Sequence, residues 1–395
     1  MSKVLDGIRV IDMGTFQAAP FCCQILADFG AEVIRVEPPG GAVDRELGPF
    51  APNGENLAIP LYNRNKKGVT LNLQTEAGKQ LLQELVKLSD VLVTNMTPRA
   101  VRSLGIGYDS LRKVNPRLVY ASLTGYGQYG PYAERPAFDP VCQAIVGHMY
   151  ITGFKDSRPT KSGSSLCDYG SGLYCVIGIL LALHQRDKTG KGQEIDVSLL
   201  DTGVSFMEAV FAQYKVSREI QAQMGNARPF SAPTDSFRCR DGWVYMAVST
   251  NRLWKRFTEL IGRKDIVDDP RFATGEMRRR NRDYVNSLAE GWLADKTRDE
   301  AVSLLAEAGI PAGPVNTVTE AIVDPQIQAR GMIVEIEQPG IGMVPVSGIV
   351  VKMSETPGEI ATPAPGLGQH NREIYQGLLG ISEAKLAELR ENGVI

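Results

Sequence analysis

One carboxylate, Asp168, stands at the head of Ser165-Leu-Cys-Asp-Tyr-Gly-Ser-Gly-Leu-Tyr-Cys, a run otherwise made of small, aromatic and aliphatic residues that continues to Leu183. A charge at the mouth of an apolar helix carries a desolvation cost unless something there holds it or uses it. Two readings stand side by side. As a helix cap, Asp168 would accept from the free amides of the first turn and meet the positive end of the helix dipole. As a nucleophile, it would stay ionised, with Gly170 and Gly172 leaving room for a substrate carbonyl. A second cluster, Arg64, Lys66 and Lys67, crowds the start of a predicted strand. It reads either as a solvated loop or as a phosphate-binding patch near the carboxyl edge of a sheet.

Other chemistries lack their usual residues. The loop "MGTFQAAP" sits where a nucleotide-binding loop would, and Glu37 matches the ribose acid of an NAD site, yet G-x-G-x-x-G is absent. No Walker loop, H-E-x-x-H or G-x-S-x-G occurs. The cysteines (22, 23, 142, 167, 175, 239) show neither C-x-x-C spacing nor pairing with His148, His184 or His370, which predicts a reduced protein without structural zinc. Cys167 adjoins Asp168 but has no neighbouring base to make a thiolate. With 43 basic against 45 acidic residues, the overall charge argues against nucleic acid and anionic membranes as partners. The opening "MSKVLDGIRVID" has no apolar leader, and Leu173–Leu183 falls short of the ~20 residues that span a bilayer, so a cytoplasmic protein with an interior helix is expected.

The elements that must position these residues alternate strand and helix. "IRVID", "AEVIRVE", "GVTLNL", "DVLVT", "RLVYASL" and "QEIDVSL" read as strands, with "AAPFCCQILADFG" and "EAGKQLLQELVKL" as helices between them. That order predicts a doubly wound α/β domain with a parallel sheet. Thr124–Asp139, rich in glycine and aromatics, reads as a long functional loop. Near Asn226 the texture changes. "SFRCRDGWVYMAV" signals a hairpin, and a smaller α+β domain is expected over residues 225–325, between a large part at 1–215 and a C-terminal return at 330–395.

As an ordered set, "LDGIRVIDMGTFQAAPFCCQILADFGAEVIRVEPP", "NRNKKGVTLNL", "TGYGQYGPYAERPAFDPVCQA", "LCDYGSGLYCVIGILLALHQRDKTGKGQEIDVSLLD" and "PGLGQHN" resemble the class III coenzyme A transferases, the family of formyl-CoA:oxalate, carnitine and bile-acid CoA-transferases. The resemblance runs through nearly the whole chain. It implies a Rossmann-like large domain formed by both termini, a small domain between, and an interlocked homodimer. It implies that Asp168 is the catalytic aspartate, passing through an aspartyl mixed anhydride and an aspartyl-CoA thioester, with Gln17 as amide donor to an oxyanion. Phe16, Leu71, Asn95 and Leu104 are implied to line CoA, which is substrate and product rather than a tightly bound cofactor. The phosphates fall to Arg102, Arg64 or Lys67, because Ser103 stands where an arginine often precedes the residue matching Leu104.

Phe138 and Asp139 match the place of a racemase His-Asp pair. Phe138 replaces the histidine, so racemase or isomerase chemistry lacks one of its two groups, and Asp139 is left to shape the acyl pocket. A non-catalytic CoA-binding protein is the other alternative. "AVSTNRLW" lacks the glycine run of formyl-CoA transferase, which argues against oxalate as acceptor. The expected substrates are succinyl-CoA as donor and a short dicarboxylic acid such as itaconate or mesaconate.

Overall fold

A computed structural model describes residues 3–395. The chain divides into two compact units. The larger takes the residues up to Val146, Gly163–Glu208 and Pro325–Ile395; the smaller takes Gly147–Ser162 and Ala209–Asp324.

The larger unit is built on six strands, β1 (Arg9–Met13), β2 (Glu32–Glu37), β3 (Lys66–Thr70), β4 (Val91–Thr94), β5 (Val119–Thr124) and β6 (Glu194–Ser198). All pair in parallel, in the order β3-β2-β1-β4-β5-β6. The central strands are aliphatic on both faces because both faces are covered. One face packs Val10, Val33, Val91 and Val119 against α1 (Ala18–Asp28), and the other packs Ile11, Ile34, Leu92 and Tyr120 against α3 (Glu76–Lys87). Each such fully buried aliphatic side chain contributes roughly 1.5–3 kcal/mol. The strand order reverses between β1 and β4, so the crevice outside their carboxyl ends is where an open α/β sheet binds ligands.

Further helices follow: α2 (Ala58–Asn63) before β3, α4 (Pro98–Leu104) and α5 (Tyr108–Val114) after β4, and α6 (Asp139–Ile145) after β5. The chain passes through α7 (His148–Ile151) in the smaller unit and returns with α8 (Leu166–Thr189) and α9 (Leu199–Phe206). By length and composition α8 is apolar enough to cross a membrane, with a mean hydropathy of 1.7, yet half of that stretch is buried in the fold. Its glycines explain the packing. A Cβ on Gly172 would lie 2.9 Å from the Ala18 carbonyl oxygen of α1, and one on Gly170 would lie 2.6 Å from Thr202 of α9.

The two outer strands end the sheet differently. Along β3, the Gly68 carbonyl accepts from the His370 amide (2.9 Å), the Gly68 amide donates to His370 Nδ1 (3.0 Å), and the Thr70 amide donates to Asn371 Oδ1 (2.8 Å). On β6, Ile195 and Val197 pack inward while Glu194 and Asp196 alternate with them.

In the smaller unit β7 (Thr234–Cys239), β8 (Gly242–Ala247) and β9 (Ala312–Pro314) form an antiparallel sheet in that order. It packs on Trp254, Phe257 and Phe272. The expected hairpin is present, turning at Arg240-Asp241, with Gly242 already in β8. Gly147–Ser162 also belongs to this unit, ahead of the expected start near residue 225. A hairpin of β10 (Ile333–Gln338) and β11 (Gly342–Ser347) lies in the returning C-terminal segment of the larger unit.

Candidate active site

Asp168 sits in the first turn of α8, but it does not cap the helix. That role falls to Asp139, at the start of α6 and 4% exposed. Its Oδ1 accepts from the Cys167 amide (2.6 Å) and the Asp168 amide (3.3 Å), and its Oδ2 accepts from Gln143 Nε2 (2.5 Å). Asp139 thus fixes the turn that carries Asp168. The Asp168 carboxylate itself receives no hydrogen bond from any described residue. Burial and then the negative charge of Asp139 push it up to about 7. Gly170 and Gly172, expected to leave room for a substrate, are instead closed against α9 and α1. Cys167 is buried, and its thiol is pushed up to about 12 by burial and by Asp139, so it is no thiolate.

Beside Asp168, the Tyr62 and Tyr169 hydroxyls share a hydrogen bond of 3.2 Å. Tyr169 also meets Phe21 of α1 edge-on, ring centroids 4.9 Å apart. Burial, Tyr169 and the charge of Asp168 together raise the Tyr62 hydroxyl above its ordinary value.

The loop after β1 carries Phe16 and Gln17 at the carboxyl end of the sheet. The Gly14 amide donates to Asp12 Oδ1 (2.8 Å). Asn95, just past β4, accepts from the Thr15 amide (3.0 Å) and donates to the Thr15 carbonyl (2.8 Å). The Phe16 amide donates to Asp44 Oδ2 (3.0 Å). Phe16 has a φ of 63°, a left-handed conformation that costs a phenylalanine about 1–2 kcal/mol. Its ring meets Phe138 edge-on at 5.4 Å, and Phe138 directly precedes Asp139. Gln17 occupies the N-cap position of α1, and its side-chain amide makes no hydrogen bond with the described residues. Phe16, Gln17, Phe138, Asp139 and Asp168 therefore belong to one continuous set of packed elements.

Other expected site residues are used elsewhere. Arg64 is 2% exposed; its guanidinium donates to both oxygens of Asp28 (3.1 and 2.7 Å) and to the Ser347 carbonyl (2.6 Å), so it does not face a ligand. Lys67 lies at the start of β3, the amino edge of the sheet, where it pairs with Glu32 (2.6 Å) and Glu373 (2.7 Å). The basic cluster is therefore neither a solvated loop nor a phosphate patch at the carboxyl edge. Leu71 is 2% exposed in the core. Asn95 braces Thr15 with both ends of its amide. Leu104 packs against the core from the end of α4, and the exposed Arg102 pairs with Glu134. Glu37, the would-be ribose acid, is held by both arms of Arg45 (2.6 Å each).

Arg35, which the sequence left unassigned, and Lys66, from the basic cluster, both turn inward to buried acids. Arg35 donates to Asp44 (2.8 and 3.0 Å) and to Asn63 Oδ1 (2.6 Å), and Lys66 Nζ donates to Asp12 (2.7 Å), Asn63 (3.0 Å) and the Pro20 carbonyl (2.9 Å). Among the described residues no group of three or more His, Cys, Asp or Glu side chains is arranged to hold a metal.

A family model described as CoA-transferase family III matches residues 5–371. The chain is 37% identical to the succinyl-CoA--D-citramalate CoA-transferase of Chloroflexus aurantiacus, over all of this chain and 98% of that one. It is 36% identical to the formyl-CoA:oxalate CoA-transferase of Streptomyces avermitilis over the full length of both. Among solved structures, a CAIB/BAIF family protein from Brucella suis superposes with a TM-score of 0.84 at 34% identity, covering 96% of this chain and 100% of that one.

Proposed function

Given that the chain belongs to CoA-transferase family III, we propose that it moves CoA from succinyl-CoA to a short dicarboxylic acid through covalent intermediates on Asp168. The observation that carries the reading is a division of labour between two acids. Asp139 caps the helix, which leaves the Asp168 carboxylate unbonded, partly solvent-accessible and raised to about 7. A more basic carboxylate is a stronger nucleophile, provided it is ionised.

The sequence conserves activation at each step. An Asp168 oxygen adds to the thioester carbonyl, the C–S bond breaks, and CoA leaves as thiolate, giving a mixed anhydride. The thiolate then attacks the Asp168 carbonyl and expels the donor carboxylate, giving an aspartyl-CoA thioester. The acceptor carboxylate attacks that thioester, forming a second anhydride and freeing the thiolate again. Thiolate attack on the acceptor acyl carbon releases the new acyl-CoA and restores the Asp168 carboxylate. No net proton is taken up. The unbonded carboxamide of Gln17 donates to the oxyanion that forms in these additions.

The choice of substrate rests on relatives whose names pair succinyl-CoA with D-citramalate, L-malate or glutarate, all dicarboxylates. Itaconate and mesaconate belong to the same class. Of the basic residues considered for the CoA phosphates, Arg102 is the exposed one at the carboxyl side of β4. A second copy of the chain is part of the reading, covering the exposed Leu173, Ile177 and Leu181 of α8.

The test is succinyl-CoA/[14C]succinate exchange, which needs no further acceptor, combined with intact-protein mass spectrometry after hydroxylamine trapping. The expected outcome is a modified Asp168 peptide, and loss of exchange by at least about 10⁴-fold in Asp168→Ala. In the native protein the rate should fall as pH drops through about 7, where the carboxylate protonates. Exchange retained in Asp168→Ala sinks the reading.

A further inference from the structure

Phe16 holds a left-handed backbone conformation that is costly for a phenylalanine, and the group bonded to its amide is Asp44. Asp44 is 5% exposed and sits in a short 3-10 turn, Val43–Glu46, between β2 and α2. Its two oxygens do different things: Oδ1 accepts from Arg35, and Oδ2 accepts from both Arg35 and the Phe16 amide. Arg35 is in turn fixed by Asn63 (2.6 Å) and Glu37 (3.2 Å), and is 1% exposed. An over-determined, fully buried ion pair of this kind can hold a neighbouring residue in a sparsely populated conformation.

We propose that Asp44 is a positioning residue for the transferase reaction: through Arg35 on one side and the Phe16 amide on the other, it locks the left-handed turn that aims Gln17 and Phe16 at the reacting carbonyl. The proposal rests on the Asp168 reading for what the reacting carbonyl is. Two links make the position matter. The turn immediately precedes α1, so a change of φ at Phe16 swings the Gln17 side chain, which no described residue holds by a hydrogen bond. The Phe16 ring also bears on Phe138, one residue before the acid that holds the Asp168 turn. Asn95 and Asp12 brace Thr15 and Gly14, but neither bonds the Phe16 amide, so Asp44 holds the residue of this loop that has a left-handed φ.

The decisive experiment is a double-mutant cycle between positions 44 and 16. Asp44→Asn is nearly isosteric and keeps an oxygen acceptor, but it removes the charge that binds Arg35. Phe16→Gly removes the conformational penalty, because glycine adopts positive φ freely. The readouts are kcat and KM of succinyl-CoA/succinate exchange, the affinity for CoA by calorimetry, and the melting temperature. In the native background Asp44→Asn is expected to lower kcat about tenfold, the scale of a sub-ångström misplacement, with a smaller change in KM. In the Phe16→Gly background the same substitution should cost about twofold or less. Equal losses in the two backgrounds, or no loss in the native one, overturn the proposal, because a residue acting only on overall stability gives additive effects. Asp168→Ala, run in parallel, keeps the two claims apart: if it exchanges normally, the catalytic reading falls, while the cycle read in CoA affinity still judges whether Asp44 sets the Phe16 turn.

Discussion

Two kinds of acid in the large unit are treated oppositely. Asp12 and Asp44 are buried and paired: Lys66 and Arg35 bind them, and a backbone amide donates to each. Asp168 is raised to about 7 by burial and a neighbouring negative charge, and among the described residues no cation and no donor is bonded to it. The first set makes a rigid floor for the loop after β1. The second is kept reactive at the expense of its own comfort. Satisfied charges fix geometry, and an unsatisfied one supplies chemistry.

Breaking the paired set should give the largest stability effect. Lys66→Met leaves Asp12 as an uncompensated buried charge and strips donors from Asn63 and the Pro20 carbonyl, so a loss of about 3–5 kcal/mol is expected in denaturant unfolding. A loss below about 1 kcal/mol would show that the floor is not held by this pair.

The unsatisfied acid should respond in the other direction. Because its folded pKa lies above the value of 3.8 it has when unfolded, ionised Asp168 destabilises the fold; the effect begins above pH 3.8 and is complete above about pH 7. Asp168→Asn should therefore raise stability by roughly 1–3 kcal/mol at pH 8, the full shift being trimmed by solvent access, and by almost nothing at pH 4. A gain independent of pH would separate the effect from the carboxylate. The smallest effect is expected at Lys67→Ala. Its pairs with Glu32 and Glu373 are part-exposed, so stability should change by less than about 1 kcal/mol, and the KM for the acyl-CoA should be unchanged. A marked rise in KM would return Lys67 to the ligand side.

The alternating aliphatic runs made most of the parallel sheet legible, with strand ends shifted by a residue or two. The exception is instructive. The strand read as starting at Gly68 starts at Lys66, with Lys66 turned inward to Asp12 and Lys67 to Glu32, so two charges placed just ahead of the strand are part of the sheet. Asp168 was legible as an acid out of place in an apolar run. What relieves it of capping duty was not: Asp139 lies 29 residues earlier, and only the fold brings its oxygen to the Asp168 amide. Asp44 and Arg35 gave no signal either, since their spacing matches no motif and their importance comes from meeting Phe16 across 28 residues. The glycines of α8 misled for a related reason, because an absent side chain signals empty space or a close neighbour equally well, and here the neighbours are α1 and α9.

The two ends of the six-stranded sheet have a consequence for how the protein behaves in a crowded solution. An open sheet with bare outer strands is a template for further strands, and hence for fibres. Along β3 that template is already read by the chain's own tail, through His370 and Asn371. Along β6 the exposed side chains are Glu194 and Asp196, and an antiparallel edge-to-edge pairing in the register that sets them opposite their copies would bring like charges together. One border is sealed and the other carries charge that disfavours pairing with its own image.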